Sequence, residues 1–117
     1  MQRTEPDGII ISCDFCGTDW DPYDESNPRP MIEGHLGSIV CLECVKLALA
    51  EMSPRAGDFR CTMCIIEGIK PEVPRWAHPA PTPSPGLNPD ALICKPCIHQ
   101  AAGRFSKDPD VPWKWKR

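Results

Sequence analysis

All eight cysteines of this 117-residue chain fall in four Cys-x-x-Cys pairs, Cys13/Cys16, Cys41/Cys44, Cys61/Cys64 and Cys94/Cys97. Two thiolates three residues apart on a tight turn can face one ion, and two such pairs complete the tetrahedral four-thiolate set that Zn2+ prefers in closed structural sites. Four pairs therefore point to two structural zinc ions. A disulfide scaffold would need an oxidising compartment, and the opening Met-Gln-Arg-Thr-Glu-Pro carries no apolar signal segment. A thioredoxin-like redox motif normally comes as one pair within a βαβ pattern. Iron, iron–sulfur or redox use of the cysteines stands as the competing reading.

Composition agrees with a metal-dependent fold. With 7% aromatic residues and 15 prolines, a chain of this length has little material for a large core, so metal must supply much of the stability. No run of 18 apolar residues occurs, so no membrane span is expected and the chain reads as cytoplasmic.

An internal repeat decides how the pairs combine. Ser38 to Leu49 aligns with Ala91 to Ala102, two aliphatic residues before each Cys-x-x-Cys and a helical run after it. The first and third pairs also match, each after a short apolar or aromatic lead. One module is thus duplicated, and the expected ligand sets are Cys13, Cys16, Cys41 and Cys44 for one ion and Cys61, Cys64, Cys94 and Cys97 for the other. A cross-brace, as in RING and FYVE-like fingers, usually sets its middle pairs close together. Here 16 residues separate Cys44 from Cys61. Under sequential pairing, Cys41→Ser is expected to unfold the first module and leave the second largely intact.

Each module reads as a treble clef. A Cys-x-x-Cys knuckle leads into a loop of 24 residues in the first copy and 29 in the second, and then into a pair that opens a helix. Val45, Ala48, Leu49 and Met52 form one apolar helical stripe ended by Ser53-Pro54, and Ile98, Ala101, Ala102 and Phe105 repeat it. A helix N-terminus offers free N–H groups and partial positive charge to the thiolates. The expected fold class is a small metal-stabilised α+β chain of two tandem four-cysteine zinc modules, each a knuckle, β-hairpin and short helix. The first spans residues 1–57 and the second residues 58–110, with a Pro-rich insertion at 71–89 and a Trp/Lys tail at 111–117.

The run Cys13-Asp-Phe-Cys16-Gly17, then Met31-Ile32-Glu33-Gly34, then Ile39-Val40-Cys41-Leu42-Glu43-Cys44-Val45 resembles the ClpX-type four-cysteine zinc-binding domain. The resemblance covers roughly residues 10–52. It implies a treble-clef module used for dimerisation and for binding substrates and adaptors, with Cys13, Cys16, Cys41 and Cys44 as ligands. The second module shares only the ligand spacing and helix start, with Pro96 in the place of Glu43. Nothing in the chain matches Gly-x-x-x-x-Gly-Lys-[ST], so no ATPase motor accompanies it.

Outside the cysteines the signals are weaker. Gly17 suits a left-handed turn after the first knuckle, and Ile65 at the equivalent place predicts a more irregular second knuckle. The stretch from Pro71 to Pro85 is expected to be extended and exposed, with Trp76 either a partner anchor or a cover for the zinc core. The tail Val111-Pro112-Trp113-Lys114-Trp115-Lys116-Arg117 interleaves indoles with cations, a pattern suited to single strands, against the plainer reading of a self-packed terminus. The loop from Asp19 to Glu25 is acidic and reads as solvated. His35, His78 and His99 are not needed as ligands, and His99 is placed beside the second site.

Charge is divided: residues 1–57 carry 4 basic and 10 acidic side chains, residues 58–117 carry 9 and 6. Closed four-thiolate coordination leaves no open position for substrate or activated water, so no enzyme is expected. The leading expectation is a zinc-binding protein–protein interaction or adaptor module with an unidentified protein partner, and a homodimer is left open. The alternatives are a nucleic-acid-binding zinc-finger protein using the basic second half and the tail, and a thiol redox or metal-exchange protein.

Overall fold

A computed structural model describes residues 1–20, 30–81 and 83–116. Most of the acidic loop, residues 21–25 included, together with Thr82 and Arg117, lies outside the described residues.

The chain opens with a hairpin that the sequence reading did not identify as such. Strand β1 (Gln2–Glu5) pairs antiparallel with β2 (Gly8–Ile11), Glu5 opposite Gly8. Pro6 and Asp7 form the turn, with Gly8 after them at φ 136°, residues that tight turns favour at these places. Strands β3 (Met31–Glu33) and β4 (Ile39–Cys41) make a second hairpin, closed by a 3₁₀ turn over His35–Gly37. Helix α1 (Leu42–Glu51) follows β4 directly. In the second half β5 (Arg75–Trp76) pairs with β6 (Ile93–Cys94), which leads into α2 (Lys95–Lys107).

Both helices form where the apolar spacing places them. Helix α1 buries Leu42, Cys44, Val45 and Ala48, with Leu49 and Met52 half-buried against the core, and it stops where Pro54 forbids another turn. Helix α2 buries Ile98, Ala101, Ala102 and Phe105. Pro96 sits in its first turn, where a missing N–H costs nothing, and Arg104 and Lys107 face the negative end of the helix dipole. Among the described residues no helix is long and apolar enough to cross a membrane.

The two halves share one hydrophobic core. Helices α1 and α2 pack on each other, and the cluster takes Phe15, Val40, Val45 and Ala48 from the first half and Phe59, Met63, Trp76, Ile93 and Ile98 from the second. Backbone hydrogen bonds stitch across the join. Ser53 and Arg75 exchange N–H···O bonds of 3.1 and 3.0 Å, and the His35 N–H donates to Met63 O at 2.8 Å. Gly34 permits that approach, since a Cβ there would lie 2.7 Å from the Met63 carbonyl oxygen.

The stretch from Pro71 to Pro85 is only in part the exposed segment expected of it: Glu72, Pro79, Ala80, Pro83 and Pro85 are exposed, but other residues dock. Trp76 is 2% exposed, Gly86 is buried, and residues 84–88 lie against the first knuckle. The Ser84 hydroxyl donates to Gly17 O at 2.9 Å and the Asn88 N–H to Asp14 O at 2.9 Å. A Cβ on Gly86 would come within 2.3 Å of the Ser12 side chain. Proline excludes helix from this stretch but does not dictate exposure: carbonyls and small residues still dock. The tail also folds back. Val111 is 2% exposed, the Trp115 N–H donates to Ser106 Oγ at 2.7 Å, and its ring lies 4.9 Å from that of His99.

Gly34→Ala should therefore destabilise the whole chain by about 1–3 kcal/mol through overpacking at the join. Gly103→Ala, whose Cβ would meet nothing within 4 Å inside α2, should stabilise it by up to about 1 kcal/mol. Urea denaturation of the two variants beside the parent checks both signs.

Candidate metal centres

The cysteines gather into two clusters in sequence order. Sγ atoms of Cys13, Cys16, Cys41 and Cys44 all lie within 4.8 Å of one another, as do those of Cys61, Cys64, Cys94 and Cys97. Cys13 and Cys44 sulfurs are 3.7 Å apart, Cys16 and Cys41 3.8 Å, Cys61 and Cys97 3.8 Å, and Cys64 and Cys94 4.0 Å. The cross-brace is thereby excluded. These separations are far beyond the roughly 2.0 Å of a disulfide. A tetrahedron with Zn–S bonds of about 2.3 Å has edges of about 3.8 Å, so each cluster fits a zinc-sized tetrahedral cation.

Each cluster is built by the same backbone frame, which identifies the duplication bond by bond. In the first knuckle the Gly17 N–H donates to Cys13 O at 2.8 Å and the Cys13 N–H to Thr18 O at 2.9 Å. In the second the Ile65 N–H donates to Cys61 O at 2.9 Å and the Cys61 N–H to Ile66 O at 3.1 Å. Asp14 donates to Ile39 O as Thr62 does to Leu92 O, and Leu42 to Pro30 O as Lys95 does to Pro74 O. The frame ends on sulfur: the Cys41 N–H points at Cys13 Sγ at 3.4 Å and the Cys94 N–H at Cys61 Sγ at 3.5 Å. Cys41 and Cys94 are the N-cap residues of α1 and α2, in extended conformation with no side-chain cap bond. Their sulfurs turn into the clusters instead.

The irregular second knuckle does not materialise. Ile65 adopts φ 56°, the left-handed backbone that Gly17 adopts at φ 78°. A β-branched side chain there is strained by about 1–2 kcal/mol, and the turn holds because the N–H of that residue is committed to the knuckle.

The donor set suits a cation. Thiols packed this closely hydrogen-bond one another, so that one sulfur of a cluster ionises at the expense of its neighbours. Hydrogen bonds from Cys13 and its neighbours hold Cys16 well below the ordinary thiol range, while Cys13 and Cys16 push Cys44 far above it. In the second cluster Cys94 and Cys97 hold Cys61 low, and Cys94, facing Cys61, is pushed up to about 12. Only a bound cation lets all four sulfurs of a cluster ionise together.

Around the clusters lie residues whose place the sequence left open, as for Trp76, or did not mark, as for Arg75. Trp76 sits between the halves, its Nε1–H donating to Glu51 at 2.9 Å and its ring 5.9 Å from that of Phe15 in the first knuckle. It is an internal tie and not an exposed anchor. Arg75 is 5% exposed, with its guanidinium 4.0 Å over the Phe59 ring and donating to the carbonyls of Arg55 at 2.7 Å and Gly57 at 2.9 Å. It therefore fixes the segment joining the halves. Asp14, buried within the first knuckle, has its carboxyl pushed up by desolvation. Nothing local marks Arg75 in the sequence: an arginine before a tryptophan in a Pro-rich stretch reads as solvated.

The shared core revises the expectation for Cys41→Ser. Amide resonances of residues 58–110 should shift or broaden along with those of 1–57 in a two-dimensional NMR spectrum. Trp76→Ala, leaving all eight cysteines in place, should destabilise both halves together by about 3–5 kcal/mol in one cooperative denaturation. No known protein family, curated protein or solved structure matches this chain, so its functional reading rests on the two sulfur clusters and on what surrounds them.

Proposed function

We propose that the protein is a non-enzymatic tandem treble-clef zinc protein that acts as a protein–protein interaction module. Its first half is akin in its motifs to the ClpX-type zinc-binding domain. Cys13, Cys16, Cys41 and Cys44 hold one structural Zn2+, and Cys61, Cys64, Cys94 and Cys97 hold the other. The observation that carries the reading is the pair of four-sulfur clusters, each with all its sulfurs within 4.8 Å of one another and two contacts of 3.7–4.0 Å, each at the start of a helix.

When bound, zinc supplies cross-linking and charge neutralisation. Cys13 and Cys61 supply sulfurs that also accept backbone N–H groups, Cys41 and Cys94 join hairpin to helix, and the core closes over them. All-cysteine ligation leaves no position for a substrate, which favours a binding role. Leu36 supports that role: it is 82% exposed at the β3–β4 turn on left-handed backbone at φ 55°, an apolar side chain held in water at a conformational cost. A nucleic-acid role draws less support, since Trp115 packs on His99 and Lys114 Nζ donates to the carbonyls of Asp108 and Val111.

Native mass spectrometry of protein purified without added metal should find two zinc ions per chain and gives the oligomeric state at once. Acidification should release both ions, because protons compete for the thiolates. One ion, iron, or a metal-free oxidised chain would sink the reading. Fluorescence anisotropy with a labelled single-stranded oligonucleotide at about 0.1 M salt should show no saturable binding; tight, salt-sensitive binding lost on removing residues 111–117 would revive the alternative.

A further inference from the structure

The two clusters are alike in frame but not in cover. In the first, Cys13, Cys41 and Cys44 are buried and only Cys16 is half-buried. The insertion lies over that knuckle through the Ser84 bond to Gly17 O, and the Cys16 thiol is itself hydrogen-bonded to Thr18 Oγ1 at 3.4 Å. In the second cluster Cys64 and Cys97 are both half-buried. Both line a cleft of about 250 Å³ between the β3–β4 turn and α2, where Glu33 and His35 of the first half face Gln100 and Arg104 of the second.

We propose that the second cluster is the exchangeable one. The cleft admits a small soft-donor ligand, a low-molecular-weight thiol or nitrogen chelator, that takes the ion from Cys64 and Cys97 or delivers it there. The inference rests on the two-zinc reading. Cys64 belongs to the knuckle pair and Cys97 to the helix pair, so one opening reaches a sulfur from each arm of the cluster. At Cys64 and Cys97 the incoming donor supplies a lone pair where the cysteine sulfur gave one, the bonds to Cys61 and Cys94 break last as further donors of the chelator complete the ion's coordination, and each of the four freed thiolates takes a proton from water. No electron is transferred, so no oxidant is needed. The ligand class follows from size and softness: the cleft has room for a small chelator but not a protein domain, and only soft or nitrogen donors compete with thiolate for such an ion. Glu33, His35, Gln100 and Arg104 surround the opening with groups that hydrogen-bond a polar ligand while it exchanges.

The test uses the zinc-loaded full chain, whose ion count is read first. The protein is incubated with 4-(2-pyridylazo)resorcinol as chelator and N-ethylmaleimide to trap freed thiols, sampled before one ion per chain has left, and digested for mass spectrometry. Adducts on Cys64 and Cys97 should form at least about fivefold faster than on Cys16, with Cys13, Cys41 and Cys44 slower still. Gln100→Trp, which roofs the cleft from an exposed helix position without touching a cysteine, should slow Cys64 and Cys97 by about fivefold and leave Cys16 unchanged. Two ions with Cys16 labelled as fast, or labelling indifferent to Gln100→Trp, would overturn the exchange site alone. A chain that carries no zinc would bring down this inference and the reading beneath it together.

Discussion

Everything in this molecule depends on sulfur atoms accepting backbone hydrogen bonds at fixed places. The N–H of Cys41 reaches Cys13 Sγ and that of Cys94 reaches Cys61 Sγ, so the residue that starts each helix is tied to the residue that starts each knuckle. One contact sets the distance between two Cys-x-x-Cys pairs far apart in sequence, and the remaining sulfurs fall into place around it. The helix then begins where its N-cap thiol is already committed to the cluster, which explains why neither helix uses a side-chain cap.

A pair of such frames could behave as two beads on a string, but the join prevents it. The buried Arg75 guanidinium takes up the carbonyls of Arg55 and Gly57, and the β5 strand that carries it bonds to Ser53 on one edge and to β6 on the other. Trp76, next along, inserts between Phe15 and Glu51 of the first half. Two neighbouring residues thus connect the second hairpin, the linker and the first knuckle. A buried guanidinium bound to neutral carbonyls is expensive to desolvate; here Nη2 meets two carbonyls and the Phe59 face lies beneath the group, while the buried Nε has no hydrogen-bond partner among the described residues.

The cysteine spacing and the helical stripes were legible because each rests on a local rule. Four pairs at one spacing admit few geometries, and i, i+3, i+4 and i+7 apolar residues after Cys44 and Cys97 find their face whatever lies opposite. What stayed hidden was long-range. Trp76 and Arg75 lie in a stretch whose prolines say only that it is not helical, and their burial is decided by Phe15, Glu51 and the linker carbonyls far away in sequence. Gly86 reads as a loop glycine until Ser12 and Arg3 crowd the space its Cβ would take. Ile65 misled in the opposite direction: the absence of glycine suggested a different turn, yet the hydrogen-bond demand of the knuckle outweighed the backbone preference of one residue.

The two like frames are covered unequally. The first frame gained the β1–β2 hairpin on one side and residues 84–88 on the other, the latter supplied by the second module's own loop. Having lent that loop to its neighbour, the second module leaves Cys64 and Cys97 beside a cleft instead of beneath a strap. On the exchange proposal, an ion in the first cluster would serve stability, whereas one beside the cleft would answer to what the solvent carries. The two halves share a core in which Trp76 of the second bonds to Glu51 of α1, so neither cluster sits in a module of its own.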